Sequence, residues 1–395
     1  MASSLARDRY TRDELLGARV RGAQGPVVPC PESRGQPMWL AMLMVIFGAG
    51  ASYDAVPDAP APDPSTLQHD RDIQYRLPVA NHLFRRRPIF DVAIERYSQC
   101  VPIVQQLRTM QHGRGFEHEL ELLRAEGDVY PRRHVQLHAV RYYLHDIIWT
   151  CTQGLLSDYK SVTNYASLLD RIAHWLATRE HETVRFITFN YDTLLEKAFS
   201  DVTGRNLDTL ASYVTSQDYR IYKPHGSINW VRDVTNDGPT IRTNPAQGLI
   251  NLGDKLEPIE DAYYVNTEQP GRQALSYPAL ALPVETKSKF EMKSSHLSLM
   301  KEDIAAVTKL LVVGWRATEA HFLDLWASRL PFAALKRVYV VAGSFEEAGK
   351  VKERLEQAKV GAPTMGFPPG ADFLLSHQGF TQFMSGGGVD EFLAD

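Results

Sequence analysis

An apolar run from Met38 to Phe47 empties directly into Gly48-Ala49-Gly50-Ala51-Ser52. The run is shorter than the roughly 20 apolar residues needed to span a bilayer. It therefore reads as a strand buried on both faces. Glycines after such a strand let the backbone turn tightly and approach a bound phosphate, with the N–H groups of the next helical turn facing that anion. The motif alone reads more readily as a tight turn than as a nucleotide site, so its meaning depends on what else the chain offers.

At 395 residues the chain can hold a full α/β core with a second module or a large insertion. A net charge of −4 and a pI near 6.4 give no bulk reason to expect direct nucleic-acid binding. The local run Arg85-Arg86-Arg87 reads as a solvated face rather than a phosphate track. Cys30, Cys100 and Cys151 lie far apart with no Cys-x-x-Cys pair. That spacing argues against a disulfide framework and a four-cysteine zinc site, so no zinc is expected and a cytoplasmic setting fits best. Met1 to Arg21 is polar and charged, unlike a signal peptide, and no stretch suits a membrane span.

Residues 1–37, rich in Arg, Gly, Pro and Ser, read as a loosely ordered arm. Pro57 to Pro64, with four prolines, reads as a covering loop. Residues 81–177 carry helical spacing throughout and form a helical insertion module, in which His134, His138 and His145 read as core or surface histidines rather than metal ligands. The core is expected over 38–80 and 178–395. Strand character returns at Val184 to Asn190, and a helix opens at Tyr191-Asp192. A polar Asn-x-Asp where a buried strand ends is unexpected for a core and normal for a site, since open α/β sheets bind ligands at the carboxyl ends of their strands. Asp192 has a second reading as a simple helix cap.

Pro224-His225-Gly226 fixes a turn that presents one imidazole, a candidate for acid–base work. A hairpin-bearing excursion is expected over 235–300. Leu310 to Gly314 and Val338 to Gly343 read as further buried strands, with helices over Ser295 to Thr308, Ala320 to Leu330 and Phe345 to Ala358. Gly386-Gly387-Gly388 reads as a flexible link. Strand–turn–helix units of this kind predict a doubly wound, parallel, Rossmann-like α/β sheet with a large helical insertion after the first strand unit.

Taken in order, Gly48-Ala49-Gly50-Ala51-Ser52-Tyr53-Asp54, Thr188-Phe189-Asn190-Tyr191-Asp192, His225-Gly226-Ser227 and Val313-Gly314-Trp315 resemble the sirtuin family. The likeness is to its bacterial branch of NAD-consuming, anti-phage effectors. Pro78 to Phe84 resembles a segment of that branch as well, and the likeness covers roughly residues 38 to 350. Two features depart from the deacylase sirtuins: the paired Cys-x-x-Cys zinc ligands are missing, and Phe189 stands where those enzymes place Gln.

The resemblance implies an NAD glycohydrolase releasing nicotinamide and ADP-ribose. Gly48, Ala49, Gly50, Ala51 and Ser52 would hold the pyrophosphate. Asn190 would orient water and ribose, Asp192 would meet the carboxamide or stiffen the loop, and His225 would be the general base. Asp54 would meet the nicotinamide-side ribose. Gly314, Trp315, Gly343 and Ser344 would line the adenosine half, with Thr188, Gly226 and Ser227 completing the pocket; Trp315 also reads as a packing residue. The resemblance further implies an NAD-depleting role in abortive anti-phage defence. Control would come through homo-oligomeric assembly or a separate sensor, such as a ring-forming ATPase of the DNA-translocase type or a short Argonaute. The competing expectations are a non-catalytic NAD or ADP-ribose binding module and, third, an NAD-dependent protein deacylase.

Overall fold

The computed structural model describes residues 42–57, 74–109, 115–179, 181–235, 245–266, 277–284, 289–330, 335–358 and 372–394. All lie in one compact unit, Leu40–Asp395. The arm expected over 1–37 and most of the proline-rich loop lie outside the described residues.

Six runs of β-branched and apolar residues pair in parallel: β1 Met42–Phe47, β2 Thr183–Thr188, β3 Tyr219–Tyr222, β7 Lys309–Val313, β8 Arg337–Val341 and β9 Asp372–Ser376. Every residue of β1 and β7 is buried, as strands covered on both faces require. The order across the sheet is β3-β2-β1-β7-β8-β9. The chain thus starts in the middle, winds out to one edge, returns beside β1 and winds out to the other. This is the doubly wound arrangement, and the reversal between β1 and β7 is its switch point, where open α/β sheets bind ligands at the carboxyl ends of their strands. Phe47 pairs with both Thr188 and Val313, so three strands end level and deliver Gly48, Phe189 and Gly314 side by side.

Between β1 and β2 the described chain is helical: α1 Ala49–Tyr53, α2 Pro88–Arg96, α3 Val101–Thr109, α4 Phe116–Ala125, α5 Arg132–Asp158 and α6 Asn164–Ala177. At 1.5 Å per residue α5 runs about 40 Å. It is apolar on most of its circumference because α2, α3 and α4 surround it. His145 on α5 lies within 2.7 Å of the Ile228 carbonyl, tying this helix to the strand that follows β3.

That strand, β4 Gly226–Val234, lies between β5 Pro258–Val265 and β6 Tyr277–Leu280 in an antiparallel sheet. The excursion therefore begins at Gly226, earlier than the 235 boundary expected from sequence. Gly226 has φ +77°, and a Cβ there would lie 1.9 Å from the Ala279 carbonyl oxygen, so only glycine fits. The helices α7 Leu194–Thr203, α8 Pro245–Leu252, α9 Ser294–Ile304, α10 Ala320–Arg329 and α11 Phe345–Gln357 complete the main body.

The C-terminal end differs from expectation. β9 adds a sixth strand, and α12 Gly379–Ser385 and α13 Gly388–Leu393 follow it. Gly386 to Gly388 form the corner between these two helices, whose Phe383, Val389 and Phe392 are buried. Packing of those residues makes the glycines a tight corner, not a flexible link.

Candidate functional site at the strand ends

The glycine turn after β1 is pressed against the end of β7. Gly48 N–H donates to the Val313 carbonyl at 3.0 Å and Gly50 N–H to the Gly314 carbonyl at 3.0 Å. Gly314 has φ +59°, and a Cβ on it would lie 2.2 Å from Ala51 N, so the two backbones meet with no room for a side chain. Ala51 N–H closes on the Gly48 carbonyl at 2.9 Å. Three of the N–H groups assigned to a pyrophosphate from sequence are thus engaged by protein carbonyls here. Ala49 opens α1 immediately beside them.

Asn190 and Asp192, delivered by the end of β2, converge on Ser52 of α1. The Ser52 hydroxyl donates to Asp192 Oδ2 at 2.6 Å. Its single proton being given there, the 2.9 Å contact with the Tyr165 hydroxyl has Tyr165 as donor. Asn190 Nδ2 lies 2.9 Å from the Gly48 carbonyl, 2.8 Å from Ser52 Oγ and 3.1 Å from the Tyr165 oxygen, so two hydrogens serve three acceptors. Ser52, Asn190, Asp192 and Tyr165 are all buried. Burial, then the nearby Asp192 charge, pushes the Tyr165 phenol well up, which keeps it a neutral donor. Thr188 supports the same corner, its Oγ1 accepting from Asn190 N–H at 3.2 Å.

Asp192 Oδ1 also accepts from Leu194 N–H at 3.1 Å, a turn that leads into α7, but the N-cap position itself is Thr193 and not Asp192 as the sequence allowed. Beneath it sits Lys223, wholly buried, whose Nζ donates to the Asp192 carbonyl at 2.5 Å and to Glu196 Oε1 at 2.7 Å. Burial pushes the Glu196 carboxyl up and the Lys223 ammonium opposes that. Tyr213 donates to the same carboxylate at 3.3 Å, and Ser227 Oγ lies 3.3 Å from the Tyr191 carbonyl. One buried cation thus locks the turn after β3 to the loop after β2.

His225 lies in that turn and is buried. Phe189 meets its ring edge-on at 5.0 Å, and the His321 ring is stacked at 6.4 Å. Phe189 also stacks on Trp315 at 5.0 Å with a 7° interplanar angle and meets Phe322 edge-on at 5.0 Å. The residue that departs from the deacylase pattern is therefore the hub of an aromatic wall beside the histidine. Trp315 donates through Nε1 to Glu319 at 2.6 Å, fixing its ring in that wall.

Other expected residues sit elsewhere in the network. The Asp54 carboxylate accepts from Thr381 N–H at 2.9 Å and from the Thr381 hydroxyl at 2.7 Å, anchoring the start of α12. Ser344 caps α11, its hydroxyl accepting from Glu347 N–H at 3.2 Å, and it and Gly343 are exposed. Sequence reasoning missed Tyr165 and Lys223. Tyr165 falls on the apolar stripe of α6 and reads as core; Lys223 carries a signal only through its place two residues before His225.

A parallel sheet in this order, with a buried polar cluster at the ends of β1, β2 and β3, defines a doubly wound, Rossmann-like α/β protein. Within it, residues 184–361 match the family model of the SIR2-like domain. Among solved structures it is similar to a Sir2 homologue mutant in complex with 2'-O-acetyl ADP ribose (12% identity, 90% of this chain and 94% of that chain, TM-score 0.39). It is also similar to a Sir2 enzyme solved for mechanism and regulation (11% identity, 90% and 92%, TM-score 0.33). No curated protein matches the chain. Among the described residues no helix is long and apolar enough to cross a membrane, and no group of three or more His, Cys, Asp or Glu is placed to hold a metal ion.

Proposed function

We propose that the chain is an NAD glycohydrolase that breaks the nicotinamide–ribose bond. The observation that carries this reading is the buried contact set of Ser52, Asn190, Asp192 and Tyr165 at the strand ends of a sirtuin-like domain. Polar groups buried at the carboxyl ends of parallel strands are costly for a core and useful for a ligand. In this reading Asn190, fixed by its nitrogen end, orients water and the ribose. His225, in its aromatic pocket, takes a proton from water or a ribose hydroxyl as the bond opens toward an oxocarbenium-like state.

Uncontrolled turnover would exhaust cellular NAD. The reading therefore extends to an NAD-depleting effector of anti-phage defence, held off by oligomeric assembly or by a separate sensor or motor protein. Chromatographic detection of nicotinamide and ADP-ribose from NAD, by the protein alone and with any co-purifying partner, tests it. No nicotinamide under either condition would defeat it.

A second reading, a non-catalytic NAD or ADP-ribose binding module, is favoured by one observation: the Asn190 amide nitrogen and both Asp192 carboxylate oxygens already have protein partners. NAD binding without nicotinamide release separates the two.

A further inference from the structure

A cavity of about 370 Å3 opens in the helical stretch between β1 and β2, lined among the described residues by Asn81, Phe84, Arg85, Arg86, Arg108 and Phe116. None of these is a strand-end residue, and the volume falls within the range of small-ligand sites. Arg108 is fixed in its wall. Its Nε donates to the Phe84 carbonyl at 2.7 Å, and its Nη2 donates to Asp91 at 3.1 Å and to the Arg85 carbonyl at 3.3 Å. Asp91 is itself half exposed, so the charge is only partly matched.

Arg85 and Arg86 differ. Among the described residues neither guanidinium has a hydrogen bond, an ion pair or a ring partner, whereas neighbouring Arg87 is buried and donates to the carbonyls of Gln74 and Arg76. The expectation that 85–87 forms one solvated face therefore fails at Arg87.

The backbone that carries these arginines is rigid. The Tyr143 hydroxyl donates to the Leu83 carbonyl at 2.6 Å, and the Phe84 ring stacks on Tyr143 at 5.8 Å and meets Phe116 at 5.6 Å. Three arginines thus line one cavity and, among the described residues, make one ion pair, Arg108–Asp91, over an aromatic wall on preorganised backbone. Guanidinium groups match phosphate oxygens in paired hydrogen bonds, and preorganisation lowers the ordering cost of binding.

We propose that this cavity binds a nucleoside phosphate, with Arg85 and Arg86 on phosphate oxygens, Asn81 at the rim and the Phe84–Phe116 wall against the apolar part. The inference goes beyond the NAD reading and does not depend on it. Asn81 belongs to a short turn, Ala80–His82, and the His82 ring meets Tyr53 at the end of α1 edge-on at 5.7 Å. That contact links the turn at the cavity's rim to the helix that follows β1.

The test is calorimetric titration of the full chain with ADP and, separately, with inorganic pyrophosphate, at low and raised salt. Wild type should bind ADP, more weakly as salt rises. Loss of two charge-assisted contacts in Arg85→Ala/Arg86→Ala should weaken binding about tenfold or more. Arg85→Lys/Arg86→Lys should recover part of it. Unchanged ADP affinity in the double alanine variant, or no binding by wild type at millimolar ADP, would overturn the proposal. Pyrophosphate binding as tight as ADP would overturn the nucleoside assignment. Should the double variant not fold, an azido-ADP photolabel on wild type gives the same decision. Label on peptides holding Phe84 or Phe116 supports the site, and label only elsewhere overturns it.

Discussion

The Ser52 hydroxyl and the Asp192 carboxylate meet at 2.6 Å across 140 residues of sequence, joining the end of the first strand to the end of the second. Asn190 and Tyr165 close the same knot from two other directions. Removing one member leaves buried polar atoms without partners, which costs about 1–3 kcal/mol each. Tyr165→Phe should therefore lower stability by about 1 kcal/mol in urea denaturation and reduce nicotinamide release. Full activity in Tyr165→Phe would show that the phenol is packing alone.

Lys223 and Glu196 form a fully desolvated pair with sequence-distant partners. Breaking such a pair from one side costs about 3–5 kcal/mol, because the other charge is left buried. Lys223→Met and Glu196→Gln should each be strongly destabilised, and Lys223→Met/Glu196→Gln should lose clearly less than the sum of the two. A double-mutant cycle by urea denaturation measures this, and simple additivity would contradict a coupled pair.

Stability should fall with acid well above the usual carboxylate range. Burial holds His138, His145 and His296 down at about 4, against 6.5 for the free side chain. His138 is satisfied as the neutral ring: one nitrogen is 3.0 Å from the Gly253 carbonyl and the other 2.8 Å from the Tyr277 hydroxyl. Between pH 6.5 and 4 the unfolded chain binds more protons than the folded one, so stability is lost as pH falls. At pH 5 each histidine accounts for roughly 2 kcal/mol. Denaturation midpoints at pH 7 and 5 should differ markedly, and His145→Gln, which keeps a donor for Ile228, should flatten the dependence.

Gly314→Ala should disrupt the strand-end corner, since the added Cβ would lie 2.2 Å from Ala51 N on a backbone at φ +59°. A cost above about 2 kcal/mol is expected from clash and strain together. A calorimetric melting temperature equal to wild type would contradict the close backbone contact.

What the sequence made legible follows from burial. The strand–glycine turn, Asn190-x-Asp192 and His225 stand out because polar or glycine residues interrupt apolar runs where parallel strands end. Tyr165 is hidden because a tyrosine on the apolar stripe of α6 looks like any packed aromatic. Lys223 is hidden because nothing local announces that a lysine will be desolvated; its partner Glu196 arrives through tertiary packing. β9 escaped notice because it sits at the sheet edge with Asp372 exposed and the rest half-buried, so only the short apolar run Phe373-Leu374-Leu375 marks it. That Asp192 both holds the turn into α7 and joins the buried network required the structure, since sequence offers a cap and a site as alternatives.

The most direct measurement is nicotinamide release from NAD by wild type, Asn190→Ala and His225→Ala, each checked for folding by circular dichroism. The account predicts release by wild type, alone or with any co-purifying protein, and loss of about a hundredfold or more in each variant, the range expected when a positioned acid–base group is removed. Folded variants that release nicotinamide as fast as wild type would contradict a reaction centred on these strand ends.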